Sequence, residues 1–172
     1  MATIVGTAGD RPMRRSLAPD LYERVLSGGA IALLLAVLAA LWRGRAQFGQ
    51  VPAMVWLHLA TITIAVALTP VLLLGRRGAV RHRTLGTIWV AAMLATAASS
   101  FFIRLIGNGG FSLIHLLSAY TLVQVPLLWW FARTHQVNRH RRSVRALVTG
   151  ALLVAGFFTF PFDRMLGHWL FG

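Results

Sequence analysis

Five long stretches of apolar residues, separated by short polar segments, dominate the sequence. A helix rises about 1.5 Å per residue, so roughly 20 residues cross a hydrocarbon core about 30 Å thick. Each stretch falls within the usual range for a membrane span, and the fifth is the shortest. We therefore predict an all-α polytopic membrane protein with five transmembrane helices, within residues 25–42, 51–75, 84–103, 111–132 and 146–162.

The last four stretches indicate one helical hairpin that is used twice. His58 lies near the start of the second stretch and His115 near the start of the fourth, and a proline follows each by 12 or 11 positions. His82 and His140 then lie in the two arginine-rich segments that follow. The predicted four-helix core spans 51–162, as repeats 51–107 and 108–162. Before it come a cytoplasmic tail (1–20) and a first transmembrane helix with its outer loop (21–50), and an outer tail (163–172) follows.

Composition supports a membrane protein and excludes several chemistries. Hydrophobic residues make up 57% and charged residues 12%, whereas soluble domains carry roughly 25% charged residues. The acidic residues are Asp10, Asp20, Glu23 and Asp163, so the core lacks the parts for paired-carboxylate hydrolysis, a carboxylate proton relay or a Ser-His-Asp triad. Without cysteine there is no disulfide, thiolate nucleophile, iron–sulfur cluster or Cys-ligated zinc.

Asp20 is expected to cap the first helix, with Glu23 in its first turn.

The basic residues, all 17 of them arginine, predict the orientation. Thirteen lie in the N-terminal segment and in the loops between helices two and three and between helices four and five, and four lie on the opposite side. The positive-inside rule then places the N-terminus in the cytoplasm and the C-terminus on the outer side of the membrane. Next to apolar helices, these arginines are expected to bind anionic headgroups of the bilayer. Nothing resembles a nucleic-acid module, so we predict no nucleic-acid partner.

Two histidines at similar depth in the membrane are candidate metal ligands. Ionisable residues inside a bilayer are costly, so each one marks a candidate site. Neutral imidazole binds iron well, and His58 and His115 from helices two and four would suit two-histidine ligation of haem iron. Small side chains one or two turns further along would leave room for the macrocycle, and Arg104 could pair with a propionate. The alternative is that both histidines only form hydrogen bonds between helices, worth about 0.6 kcal/mol each.

His82 and His140 form a second candidate pair, at the cytoplasmic ends of helices three and five. A second haem held there could pair its propionates with nearby arginines, namely Arg81, Arg83, Arg139 and Arg141. The competing interpretation is that these two histidines are solvated residues in arginine-rich loops. The sequence thus leaves one haem b, two, or none.

These residues carry two resemblances. His58, the segment 82–86, the segment 111–118 and Arg139-His140-Arg141 resemble an uncharacterised family of predicted bacterial inner-membrane proteins, known only as a domain of unknown function. The order of the helices is also similar to di-haem transmembrane cytochromes b that reduce ascorbate radical or ferric iron. That likeness implies one haem between the first and third core helices and another between the second and fourth. It does not imply a reductase activity, because the substrate motifs of those cytochromes are not found here.

Three functions follow as hypotheses. The first is a cytochrome-b-like electron-transfer protein that binds haem b through His58 and His115, with a quinol or a redox protein as its partner. The second is a non-enzymatic accessory subunit, which packs an alanine-rich face of helix three against a larger membrane complex and uses its histidines only structurally. The third is a small transporter or metal-handling protein. The sequence does not decide whether the protein is an enzyme.

Overall fold

The computed structural model describes residues 18–103, 113–161 and 164–172, and these residues contain helices and no strands. The all-α prediction is confirmed. In chain order the elements are α1 (Leu21–Gly44), a 3-10 helix (Arg45–Gln50), α2 (Ala53–Leu74), α3 (Val80–Ser100), α4 (Leu113–Arg133), α5 (Val137–Leu147), a π-helix (Val148–Val154), α6 (Ala155–Phe157) and α7 (Met165–Phe171).

Helix α1 begins as the sequence predicts. The Asp20 side chain accepts a hydrogen bond from the backbone N–H of Glu23 (3.0 Å), and the Glu23 side chain accepts one from the backbone N–H of Asp20 (3.2 Å). This reciprocal pair satisfies two N–H groups that have no partner within the helix. The turn between α2 and α3 uses Gly78 at φ +79°, a left-handed conformation that glycine adopts without steric cost.

The helices pack in the order of the chain. Helix α2 packs against α3, α3 against α4, and α4 against α5 and the π-helix. The π-helix reaches back to α1 and α2, and α1 packs against α2, so α1 and the four helical segments of the predicted core surround one apolar interior. In this arrangement α2 lies diagonally across the bundle from α4, and α3 lies diagonally across from α5.

Two apolar clusters hold the bundle together. The larger one joins α1–α5 and the π-helix, and its most buried members include Ala30, Ala65, Met93, Val125 and Leu147. The smaller one joins the second half of α1 to α2 and α7, through Val37, Ala40, Leu59, Leu166 and Trp169. Residues 165–171, predicted as part of a tail, therefore form a helix that packs on α1.

The outside of the bundle carries large apolar side chains, among them Leu35, Leu116, Trp130 and Phe157. Two helical segments are long and apolar enough to cross a membrane, Leu21–Gln50 and Ala53–Leu74. The membrane prediction is therefore supported for the first two of the five predicted spans. The fifth predicted span differs most, because it is divided among the arginine-rich α5, the π-helix and the short α6.

Candidate functional site

His58 is held against α3 through its Nδ1 atom. This atom lies 3.1 Å from the backbone oxygen of Thr96 and 3.1 Å from the hydroxyl oxygen of Ser99. A carbonyl oxygen can only accept, so the proton is on Nδ1 and the lone pair of the neutral ring is on Nε2. Hydrogen bonds of this kind fix the orientation of histidines that bind metals through the other nitrogen. His58 therefore has the protonation pattern of a ligand, as well as that of a structural hydrogen-bond donor.

His115 lies near the same end of α3 as His58. Its ring centroid is 5.8 Å from that of Phe101, which directly follows α3. One turn along α4, Ser118 accepts a hydrogen bond of 2.6 Å from the hydroxyl of Ser100 on α3. The described contacts thus bring His58 and His115 to neighbouring positions on α3, from diagonally opposed helices, rather than into contact with each other.

Hydroxyl groups surround His58 in this part of the bundle. Thr96 donates to the hydroxyl of Thr61 (2.9 Å), and Thr61 also lies within hydrogen-bonding distance of the His58 backbone oxygen (3.0 Å). Small side chains at Thr61 and Ser118 were predicted to leave room for a macrocycle. In the structure both take part in hydrogen bonds between helices, so the same side chains also serve to pack α2 and α4 against α3.

His82 and His140, the second predicted pair, lie on α3 and α5 at the opposite end of the bundle. Nδ1 of His140 donates to the backbone oxygen of Leu128 on α4 (3.2 Å), which again leaves the lone pair on Nε2. Nδ1 of His82 is buried, and no described residue forms a hydrogen bond with it. A buried polar atom without a hydrogen-bond partner is uncommon in proteins, and such an atom often marks a functional position.

Both of these histidines favour the neutral form. Burial lowers the pKa of His82, and the charges of His140 and Arg77 lower it further. Burial also lowers the pKa of His140, although its hydrogen bond to Leu128 opposes that effect. Neutral imidazole is the form that binds metal ions.

Three of the arginines predicted to pair with haem propionates have other partners in the structure. Arg83 donates to the Gly78 backbone oxygen (3.3 Å), and Arg139 donates to the Gln136 side chain (2.8 Å). Arg141 is bound by Glu23, as described below. Arg104 lies outside the described residues, so its pairing with a propionate stays a prediction.

A buried cluster of charges is the feature that the sequence analysis missed. Glu23 is 1% exposed, and its carboxylate binds Arg77 from the α2–α3 turn and two arginines of α5. Nε of Arg141 lies 2.7 Å from Oε1 of Glu23, and Nη2 of Arg145 lies 3.1 Å from the same atom. Asp20 pairs with both arginines of α5. The end of the bundle that holds Asp20, Glu23, Arg77, Arg141 and Arg145 is called the charged end below.

The electrostatic effect of this cluster shows in its outer members. The hydrogen bond to Glu23 raises the pKa of Arg141, so this guanidinium stays charged. The hydrogen bond from the backbone N–H of Glu23 lowers the pKa of Asp20. The sequence held one clue to the cluster: Glu23 is an acidic residue two positions before the first apolar stretch, in a chain of 17 arginines. The arginines that bind it could not be chosen without the fold.

The four histidines that were predicted to bind haem lie in two groups in the structure. Two histidine pairs lie on diagonal helix pairs, one pair at each end of the bundle, and His82 has an unpartnered buried nitrogen among the described residues. Two imidazoles suffice for haem iron. No cluster of three or more His, Asp or Glu side chains suited to a metal ion occurs in the described part of the chain. Each pair supplies the two imidazoles that haem iron can take from a protein, and haem binding stays a prediction.

Comparisons with known proteins give no further assignment. No family model, no curated protein and no solved structure matches the chain.

Proposed function

We propose that this protein is an integral membrane cytochrome-b-like electron-transfer protein, which binds haem b between α2 and α4 through His58 and His115. The observation that carries this proposal is the position of the two rings. They come from diagonally opposed helices, and both contact the C-terminal end of α3. Bound haem would supply one-electron chemistry. His82 and His140 are the candidate ligands for a second haem.

The residues of the chain have distinct parts in this proposal. Thr96 and Ser99 orient the His58 ring through Nδ1 and so direct the Nε2 lone pair away from α3. The backbone oxygen of Leu128 does the same for His140. The apolar helices exclude water from the site, and a quinol or a partner redox protein would exchange electrons with it.

The proposed location is a bacterial inner membrane crossed several times, with the N-terminus in the cytoplasm. Two helices that are long and apolar enough to cross a membrane support it. Further support comes from the arginines, because residues from the α2–α3 turn and from α5 meet at one end of the bundle. That is the distribution expected if this end faces the cytoplasm.

An absorption spectrum of the detergent-extracted full-length protein tests the proposal. We expect a Soret band that shifts on reduction, and a loss of haem in both His58→Ala and His115→Ala, which is complete if the protein binds one haem and amounts to half if it binds two. His168→Ala is the matched control, since His168 is an exposed histidine of α7 outside the four-helix core, and it should keep the band. If His82 and His140 hold a second haem, His82→Ala should lower the haem content by half. A wild-type protein that stays colourless after incubation with haemin would refute the proposal.

The second candidate function is that of an accessory subunit without a cofactor. It is favoured by the hydrogen bonds of His58 and His140, which join neighbouring helices and can account for both histidines structurally. Of the alanines predicted to form a packing face, Ala92 and Ala97 are buried inside the bundle, whereas Ala91 and Ala98 are exposed. A colourless protein that co-purifies with a stable membrane complex, and loses that complex in Ala91→Leu, would favour this function.

A further inference from the structure

A cleft at the charged end lies beside the Glu23 cluster. It has a volume of about 280 Å³ and is formed where the chain enters α1 and leaves α2. Its lining consists of Ala18, Pro19, Leu74, Gly75, Arg76 and Arg77. The cleft therefore combines two adjacent guanidinium groups with apolar side chains.

The two arginines of the cleft differ in how they are held. Arg77 is 15% exposed and is fixed by its ion pair with Glu23. Arg76 is exposed, and among the described residues no ion pair is found for it. Arg76 therefore has its full charge available for a ligand, beside a second guanidinium that is already in position.

The charge balance favours an anion at this place. Three arginines and two carboxylates meet in the Glu23 cluster, so one positive charge is not compensated there. Arg76 adds another. The C-terminal end of α2 faces the same region, and the partial negative charge of a helix C-terminus opposes an anion. Binding therefore has to come from the guanidinium groups, and Arg76 is the one not already neutralised.

We propose that this cleft binds a phosphate group, carried by an anionic lipid headgroup or by a soluble phosphate ester. Guanidinium groups suit phosphate oxygens because their N–H groups form paired, charge-assisted hydrogen bonds. Basic pockets between helices at the cytoplasmic side of a membrane bind phosphate-containing headgroups in this way. The lipid as source depends on the membrane location proposed above, whereas the phosphate chemistry does not. Neither depends on haem.

The test is a titration of the detergent-purified full-length protein with phosphatidylglycerol, followed by native mass spectrometry. Arg76→Gln should weaken binding about fivefold, the factor expected for one arginine near a membrane surface. Arg142→Gln is the matched control, because Arg142 is an exposed arginine of α5 that does not line the cleft, and it should change binding less than twofold. Arg76→Lys keeps the charge but not the paired N–H groups, so it should recover part of the affinity, and this separates loss of charge from loss of fold.

Two further arms identify the source of the phosphate. If glycerol phosphate displaces phosphatidylglycerol, the phosphate group alone is sufficient and a soluble ester is a ligand. If glycerol phosphate has no effect while the lipid still depends on Arg76, the ligand is the lipid headgroup. Equal weakening by Arg76→Gln and Arg142→Gln, or no weakening by either, would overturn the proposal, because binding would then follow the overall charge rather than this cleft.

Discussion

At the charged end of the bundle, α1 is held by ion pairs between Glu23 and arginines from distant parts of the chain, whereas at its other end it is held by an aromatic ring. There the ring of Trp169 in α7 lies directly against Gly44, the last residue of α1. Trp169 also donates to the side chain of Gln47 (2.8 Å), and its ring lies near that of Phe48. We call this the aromatic end.

The two ends differ in what makes each contact possible. At the charged end, a side chain that is costly to bury is compensated by three partners, so removing the carboxylate leaves several charges without a counterion. At the aromatic end, the contact depends on the absence of a side chain at Gly44. The charged end should therefore be sensitive to the loss of a charged side chain, and the aromatic end to a larger side chain at Gly44.

Glu23→Gln should have the largest effect. The amide keeps the size of the side chain but removes the charge shared by Arg77, Arg141 and Arg145. Breaking a buried ion pair from one side costs about 3–5 kcal/mol. We expect a loss of stability of that order in thermal unfolding of the detergent-purified protein. A loss below about 1 kcal/mol would mean that the cluster is not a principal support of α1, because that is the range of surface ion pairs.

Gly44→Ala should have the next largest effect, at the aromatic end. A Cβ atom added at Gly44 would lie 2.1 Å from the Trp169 ring, and a rigid ring cannot give way as a flexible side chain does. Overpacking of this kind costs about 1–3 kcal/mol. Gly28→Ala is the matched control, because an added Cβ there meets nothing within 4 Å, and it should be neutral or slightly stabilising. Equal effects of the two substitutions on thermal unfolding would contradict the tight contact at Gly44.

Gln47→Ala should cost about 1 kcal/mol, since it removes the acceptor of the buried Trp169 N–H group. The ring would keep its packing against Gly44. The tryptophan emission spectrum of the variant should differ from that of the wild-type protein, because Trp169, one of six tryptophans, loses its hydrogen bond. No change in either stability or emission would show that the packing alone holds this end of α1.

Asp20→Asn should have the smallest effect, about 0–1 kcal/mol. The Asp20 side chain is 45% exposed, and asparagine also caps helices well. Asp20 also pairs with Arg141 and Arg145. Comparing the loss of stability in Asp20→Asn and in Glu23→Gln therefore shows whether burial or the number of ion pairs determines the contribution of a carboxylate. A loss as large as that of Glu23→Gln would show that position in the cluster, and not burial, determines the contribution.

The apolar pattern predicted the first four long helices well. Their ends fall within about four residues of the predicted stretches, because both the spans and the helices are bounded by polar turns. The last hairpin departs from the pattern. Helix α5 begins nine residues before the predicted span at 146, because arginines extend a helix as readily as apolar residues do. Apolar length thus indicates where a chain can cross a membrane, and not where a helix begins.

The candidate site was predictable in its residue types but not in its contacts. The repeat identified the four histidines, but Nδ1 of His58 and of His140 binds a backbone oxygen of a neighbouring helix, to which no sequence pattern points. The role of Glu23 was missed for a similar reason. Its partners lie 54, 118 and 122 residues further along the chain, and any of 17 arginines could have supplied them.

The long separation between Glu23 and the arginines of α5 has a consequence for biosynthesis. At the usual pace of translation, Glu23 is made on the order of ten seconds before Arg141, which lies 118 residues later. During that interval Arg77 is the one member of the trio already synthesised. The first helix therefore reaches its final electrostatic environment only when the last hairpin arrives, and a nascent chain truncated before α5 would leave the Glu23 carboxylate without two of its three arginines.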